Sequence, residues 1–393
     1  LARRTYRLAG ESAFAVSAEA ARLEAAGEHV LRLEIGQPDI DTPPHIVEAA
    51  HQALRDGRFG YTPPAGIPEL RDAIANHLLA RGVNVSPERV VVAPGAKAAL
   101  HAAMTALVEE GSDVLIPDPG FPAYASMTRF LGANPVGYRL DSARGFAIDT
   151  SDVERRITER TSVLIMNSPH NPTGGTADPR DLEAIAQLAL AHNLTIISDE
   201  IYSALQFDGR FASVAALPEM GERTVIIDGF SKSHAMTGWR LGYAVLPAPA
   251  VERTITFMVN AFSCTAAMVQ YAGVAALSGP MGPVRRMATE YAKRARMISH
   301  GLDAIPGISC AEPRGAFYAF PRVATLLDRS GGTSADLAEH LLHDHGVACL
   351  PGTAFGAGGE GHLRLSCTTS RSNIALALER IRHCAAGCSS LAA

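Results

Sequence analysis

The chain has 393 residues, 47% of them hydrophobic, enough for a large core and a second lobe. A formal net charge of −5 offers no basic stripe of the kind that displaces counterions from a nucleic acid, so no nucleic-acid partner is expected. No run approaches ~18 consecutive apolar residues, so no membrane span is expected, and Cys264, Cys310, Cys349, Cys367, Cys384 and Cys388 lack C-x-x-C spacing, as in a reduced cytoplasmic protein.

In chain order, residues 1–40 carry a helix-like stretch at 17–26 and are expected to form an N-terminal segment packing on a smaller lobe. Its start, Leu1-Ala2-Arg3-Arg4, has no initiator Met and no apolar h-region, so a retained signal peptide is not expected. Residues 41–283 alternate short apolar runs with helical patterns, the α/β signature. Strands are expected at 90–93, 114–117, 136–140, 162–166, 195–198, 225–228 and 242–246. Several lack polar alternation, as strands buried on both faces should. Helices are expected at 67–80, 96–108 and 179–192, the first and last opening near a Pro. The texture changes near Pro283. A long amphipathic pattern at 284–304 precedes shorter strands at 316–320, 347–350 and 362–366, so residues 284–393 read as a small C-terminal α+β domain.

In an open parallel sheet, ligands collect at the carboxyl ends of strands. After the first strand comes Pro94-Gly95-Ala96-Lys97, a tight turn into a helix whose backbone N–H groups can hold a phosphate; it reads equally as a plain turn. After the fourth comes Asn167-Ser168-Pro169-His170-Asn171-Pro172, a rigid loop presenting an amide, or a turn with no further role. After the fifth comes Asp199-Glu200-Ile201-Tyr202. Alone, Asp199 reads as a helix cap. Next to a pyridinium nitrogen, a carboxylate there would keep the ring protonated and able to accept electrons, while Tyr202 and Asn171 could bond a ring hydroxyl.

After the sixth strand, Ser231-Lys232 stands eight positions before Arg240 in a Gly-rich turn. A buried amine loses ammonium solvation and can attack a carbonyl as a free base, and the arginine fork suits a phosphate. Together these are what pyridoxal phosphate chemistry requires. An isolated match of this spacing is usually a surface pair. Its weight comes from the other strand ends.

With these motifs the chain resembles the fold-type I pyridoxal phosphate enzymes, specifically the class I and II aminotransferases related to aspartate aminotransferase. The resemblance runs from Gly36-Gln37-Pro38-Asp39 through Tyr61-Thr62-Pro63-Pro64-Ala65-Gly66, Pro117 to Tyr124, Asn167 to Gly174, Ser198 to Tyr202 and Ser231 to Gly242, to His362-Leu363-Arg364-Leu365-Ser366. It implies a large domain with a mostly parallel seven-stranded sheet between helices, plus the smaller α+β domain. It also implies that Lys232 forms the Schiff base with pyridoxal 5'-phosphate, Asp199 pairs with the ring nitrogen, Asn171 and Tyr202 hold the ring hydroxyl, and Phe121 stacks on the ring. The phosphate would be held by Gly95, Ala96, Lys97, Ser231 and Arg240, and by the partner subunit's Tyr61, in a homodimer with shared sites. Arg364 would clamp the substrate carboxylate, with Gly36 and Asn171 beside it. The implied reaction is ping-pong amino-group transfer between an amino acid and a 2-oxo acid.

Phe121 stands where aspartate aminotransferases commonly carry Trp, and Gly229 where many carry a phosphate-binding Ser. No arginine is placed for a distal carboxylate. These departures argue against dicarboxylate specificity. The same Lys232 and Asp199 would equally serve β- or γ-elimination or replacement. A cofactor-sensing regulator would need a DNA-binding module, for which the chain shows no basic helix-turn-helix pattern. His340, His343 and His345 read as a solvated helix end, since no second ligand pair flanks them, and no metal is expected. Cys384 and Cys388 are read likewise. Gly356 to Gly361 lacks the strand-to-helix setting of a dinucleotide loop.

Overall fold

The computed structural model describes residues 1–390, without the side chains of residues 329–330 and 388–390, so the side chain of Cys388 lies outside the described residues. Among the described residues, one eight-stranded sheet dominates. Across it run Val90–Ala93, Gly242–Val245, Thr224–Gly229, Thr195–Asp199, Thr161–Asn167, Asp113–Asp118, Asn134–Asp141 and Ala147–Ile148. The five strands from Thr224–Gly229 to Asn134–Asp141 are mutually parallel. Gly242–Val245 is antiparallel to both its neighbours, which leaves Val90–Ala93 aligned with the parallel set. All seven expected strands are present. The eighth, Ala147–Ile148, pairs antiparallel at the sheet edge and is too short to leave a period in the sequence.

Side chains alternate across this sheet as a period of two requires. Val91, Ala93, Val163, Ile165 and Ile197 join one core with helices Ala96–Leu107 and Ala248–Phe262. Val90 and Val92 face the other side with helices Pro44–Arg55, Pro68–Leu79 and Ala267–Ser278. Leu164 and Met166 also face that side, against Pro179–Ala191. Both faces are covered, which is why these strands are apolar throughout. Prolines in the first turn preset φ for helices Pro44–Arg55, Pro68–Leu79, Pro122–Phe130 and Pro179–Ala191.

The long helix Gly282–Asp303 buries Met287, Tyr291, Ala295, Ile298 and Leu302 against Phe317, Leu365 and Ile374. Here the strands are shorter than expected. Tyr318–Ala319 and Leu350–Pro351 flank Leu363–Ser366, both antiparallel. Val347–Ala348 pairs instead with Leu31–Arg32, in parallel, so the expected strand at 347–350 divides at Cys349 between two partners. The N-terminal helix is Ser12–Ala25, beginning before the expected residue 17. Tyr202 and Leu205, at the end of the large sheet, belong to the same cluster as Phe317. No helix among the described residues is long and apolar enough to cross a membrane.

Candidate active site

At the carboxyl edge of the parallel strands lies a cavity of about 540 Å³. Lys232, Asp199, Tyr202, Asn171 and Phe121 line it, each a few residues or fewer beyond a strand end. Ala96, Lys97, Ser231 and Arg240 line one side, Gly36 and Arg364 another. Strands that are remote in sequence but adjacent in the sheet bring these groups together. Gly95 does not line the cavity but caps the helix whose first residues, Ala96 and Lys97, do. Tyr61 does not line it and is 92% exposed.

Burial pushes the Lys232 amine down to about 8, with the positive charges of Arg364, Arg240 and Lys97 acting in the same direction. Its Nζ donates to the Gly36 carbonyl at 2.5 Å. Asp199 moves the other way. Burial raises it to about 6, against hydrogen bonds from the Tyr124 hydroxyl (2.7 Å) and the Ile201 N–H (3.3 Å). No α-helix follows Asp199, only a short 3-10 turn at Ser203–Leu205, so its carboxylate is not spent on a helix cap. The neighbouring acid, Glu200, turns away from the cavity to pair with Arg81, which also bonds Asp228 at 2.9 Å. Only one of the two adjacent acids therefore serves the cavity.

Gly95 caps helix Ala96–Leu107 at φ +97°, with no side chain bonded to that helix end. A Cβ there would lie 2.3 Å from Arg240 Nη2, so only glycine lets the guanidinium lie against the turn. Arg240 donates to the Thr237 carbonyl at 3.0 Å. At Gly229 a Cβ would meet Gly242 Cα at 2.9 Å and the Leu241 carbonyl oxygen at 3.0 Å. Close backbone packing excludes the side chain at this position.

Arg364 is 4% exposed. Its Nη1 donates to Asn171 Oδ1 at 3.3 Å and its Nη2 to the Glu34 carbonyl, while Nε has no partner among the described residues. The Tyr318 and Phe355 rings lie against the guanidinium, their centroids 4.6 and 4.9 Å from its carbon. Among the described residues no carboxylate offsets this buried charge at hydrogen-bond distance, and burial lowers its pKa. Such a guanidinium calls for an anionic ligand. A Cβ at Gly36 would overlap the Tyr318 hydroxyl, 1.9 Å away, so the floor beside Arg364 accepts only glycine.

Several residues at the site escaped the sequence reading. Tyr124 orients Asp199, and Asn167 Nδ2 holds the Asp199 carbonyl at 2.9 Å while its Oδ1 receives the Asn171 N–H. Tyr318 bonds the Tyr202 hydroxyl at 2.9 Å. The Lys97 side chain, of which only the backbone was expected to matter, enters the cavity, pairs with Glu11 and lies 5.3 Å from the Phe121 ring centroid. Glu11 and Phe14 of the N-terminal segment line the mouth. Tyr124 was legible as part of the Pro117 to Tyr124 motif; Glu11 carried no signal.

Residues 28–381 match the family model described as aminotransferase class I and II. The chain is 38% identical over 385 residues to an aspartate aminotransferase of Geobacillus stearothermophilus, covering 97% of this chain and 98% of the relative. Among solved structures, aspartate aminotransferase from Thermus thermophilus with maleate superposes with a TM-score of 0.92 at 36% identity, over 98% and 99% of the two chains. Alanine aminotransferase from Pyrococcus furiosus does so with a TM-score of 0.92 at 31% identity, over 98% and 100%. The chain belongs to the class I and II aminotransferase family, with the fold-type I architecture. It is a pyridoxal phosphate-dependent enzyme that transfers an amino group between an amino acid and a 2-oxo acid in two half-reactions. Elimination or replacement is not favoured by these relatives.

Proposed function

We propose that this aminotransferase holds pyridoxal phosphate in the 540 Å³ cavity, with Lys232 as the reacting amine and Asp199 as counter-ion of the ring nitrogen. The observation that carries the reading is a convergence on one cavity. A depressed amine, an elevated carboxyl and a buried guanidinium with an unpartnered Nε meet there. The Gly95 cradle beside Arg240 and the helix start behind it fit a phosphate. When bound, the cofactor supplies the electron sink for the Cα–H bond.

The chain's own residues do the rest. At pH 7 an amine with a pKa of about 8 is roughly one-tenth free base, and Lys232 Nζ takes up the Cα proton and returns it during turnover. Asp199, mostly ionised at pH 7 and oriented by Tyr124, holds a proton on the ring nitrogen. Asn171 and Tyr202 would bond the ring hydroxyl, and Phe121 would cover a ring face. Ala96, Lys97, Ser231 and Arg240 bind the phosphate, Gly95 gives the backbone room, and Arg364 takes the substrate carboxylate in a bidentate pair beside Gly36.

The donor is an acidic amino acid. Supporting this, Lys97 adds a further side-chain cation to the cavity besides Arg364, one whose Glu11 partner a substrate carboxylate can replace. This reading departs from the sequence expectation, with a lysine in place of the missing arginine. Relatives named as aspartate aminotransferases support the reading, and those named as alanine or aromatic aminotransferases mark its alternatives.

A homodimer follows if the partner subunit's Tyr61 reaches the phosphate. Phe59, Tyr61, Val259 and Phe262 are all exposed, and the Thr62 hydroxyl, 3.4 Å from the Thr265 carbonyl, brings their two segments together. An apolar patch of this kind suits a subunit interface. We take 41–283 as the large domain, 284–393 as the small one and 1–40 as the segment that packs on the latter. The pairing of Leu31–Arg32 with Val347–Ala348 supports this division. A cytoplasmic setting rests on cysteine spacing alone.

The test is the donor half-reaction of purified holoenzyme. An acidic amino acid should convert the cofactor's yellow absorbance to that of the pyridoxamine form, and Lys232→Ala should abolish the conversion. Conversion at an unchanged rate in Lys232→Ala would reject the assignment.

A further inference from the structure

Sequence spacing leaves His340, His343 and His345 without a further ligand, but the fold brings one from another element. Cys384, on helix Arg371–Ser390, meets His340 and His345 so that one donor atom from each lies within 4.8 Å of the other two. The His340 and His345 rings stand nearly perpendicular with centroids 5.0 Å apart. His340 Nδ1 lies 2.7 Å from Asp344 Oδ2. A proton on that nitrogen leaves the lone pair on Nε2, the arrangement in which a carboxylate orients a metal-binding imidazole.

We propose that His340, His345 and Cys384 bind one divalent, zinc-type cation, with water in the fourth position, and so fasten the C-terminal helix to the end of helix Ser334–His343. Two imidazole nitrogens and a thiolate select zinc over magnesium or calcium, which take oxygen ligands. Metal bonds of about 2.0–2.3 Å in a tetrahedron set donors about 3.5 Å apart. The donor atoms lie within 4.8 Å of one another, so closing onto an ion takes a shift of roughly 1 Å, which small side-chain rotations at the three ligands supply. On binding, the Cys384 thiol releases its proton to solvent and its sulfur coordinates as thiolate, while both imidazoles coordinate neutral and no oxidation state changes. Arg380, which donates to the His345 carbonyl at 3.0 Å, is the opposing cation, and the Asp344 carboxylate offsets it. None of the three ligands lines the active-site cavity, so the cation acts on stability.

Holoenzyme incubated with zinc and dialysed should retain one zinc per chain and melt at a higher temperature, with transamination unchanged. Cobalt in its place should give a thiolate charge-transfer band, absent in Cys384→Ser, and the d–d absorption of a tetrahedral site. His340→Ala and His345→Ala should each weaken zinc binding at least tenfold. His343→Ala is the control, because that ring faces Glu19 at 3.8 Å, and it should bind normally. Zinc lost on dialysis, a cobalt spectrum without the thiolate band, or undiminished binding in both alanine variants would overturn the proposal.

Discussion

Tyr124 and Asp199, 75 residues apart in the chain, are joined by a 2.7 Å hydrogen bond in which the buried phenol donates to the carboxylate. Helix Pro122–Phe130 thus reaches under the sheet edge to the acid that burial would otherwise leave protonated at higher pH. Tyr124→Phe removes a bond that lowers the Asp199 pKa. The acid limb of the kcat/KM profile should move to higher pH, and cofactor affinity should fall roughly 10- to 100-fold, as for a lost hydrogen bond to a charged group. Equilibrium dialysis of the cofactor and a pH–rate profile check this; an unmoved limb would count against it.

Lys232 and Asp199 give the apoprotein opposite pH dependences. Lys232 releases its proton at about 8 when folded and near 10.5 when unfolded, so between those values the unfolded state binds more protons and stability rises with pH. Asp199 titrates at about 6 folded against 3.8 unfolded, so between pH 4 and 6 its contribution makes stability fall as pH rises. Each is worth up to roughly 3 kcal/mol. Denaturant melts of apoprotein should show the advantage of Lys232→Met shrinking above pH 8 and that of Asp199→Asn growing from pH 4 to 6.

Arg364→Leu should leave the cofactor bound, because the guanidinium serves the substrate carboxylate. Loss of two charge-assisted bonds predicts a fall in kcat/KM of roughly 10²–10³-fold. Steady-state kinetics with cofactor occupancy measured in parallel separates this from a folding defect.

Lys97→Met should raise KM for aspartate roughly tenfold or more and leave alanine unaffected, since only the former carries a second carboxylate. Equal losses for both donors would show that Lys97 does not select the side chain.

Much of the site was legible because strand ends punctuate the sequence. The apolar runs before Gly95, Asn167, Asp199 and Lys232 marked four positions on one sheet edge. What was missed acts through contacts that no spacing encodes. Tyr318 sits in a two-residue strand, and its role depends on packing beside Arg364 and Gly36. Lys97 was read for its backbone because a helix start draws attention to N–H groups, whereas its amine depends on Glu11, 86 residues earlier. The expected strand at 347–350 is apolar throughout, so its sequence gave no mark of the change of partner at Cys349.

The most direct test is a single turnover of holoenzyme with aspartate and no acceptor. One equivalent of 2-oxo acid per site, no ammonia, and a lasting loss of the yellow absorbance until an oxo acid is added are expected. Release of ammonia with the yellow absorbance restored unaided would contradict it.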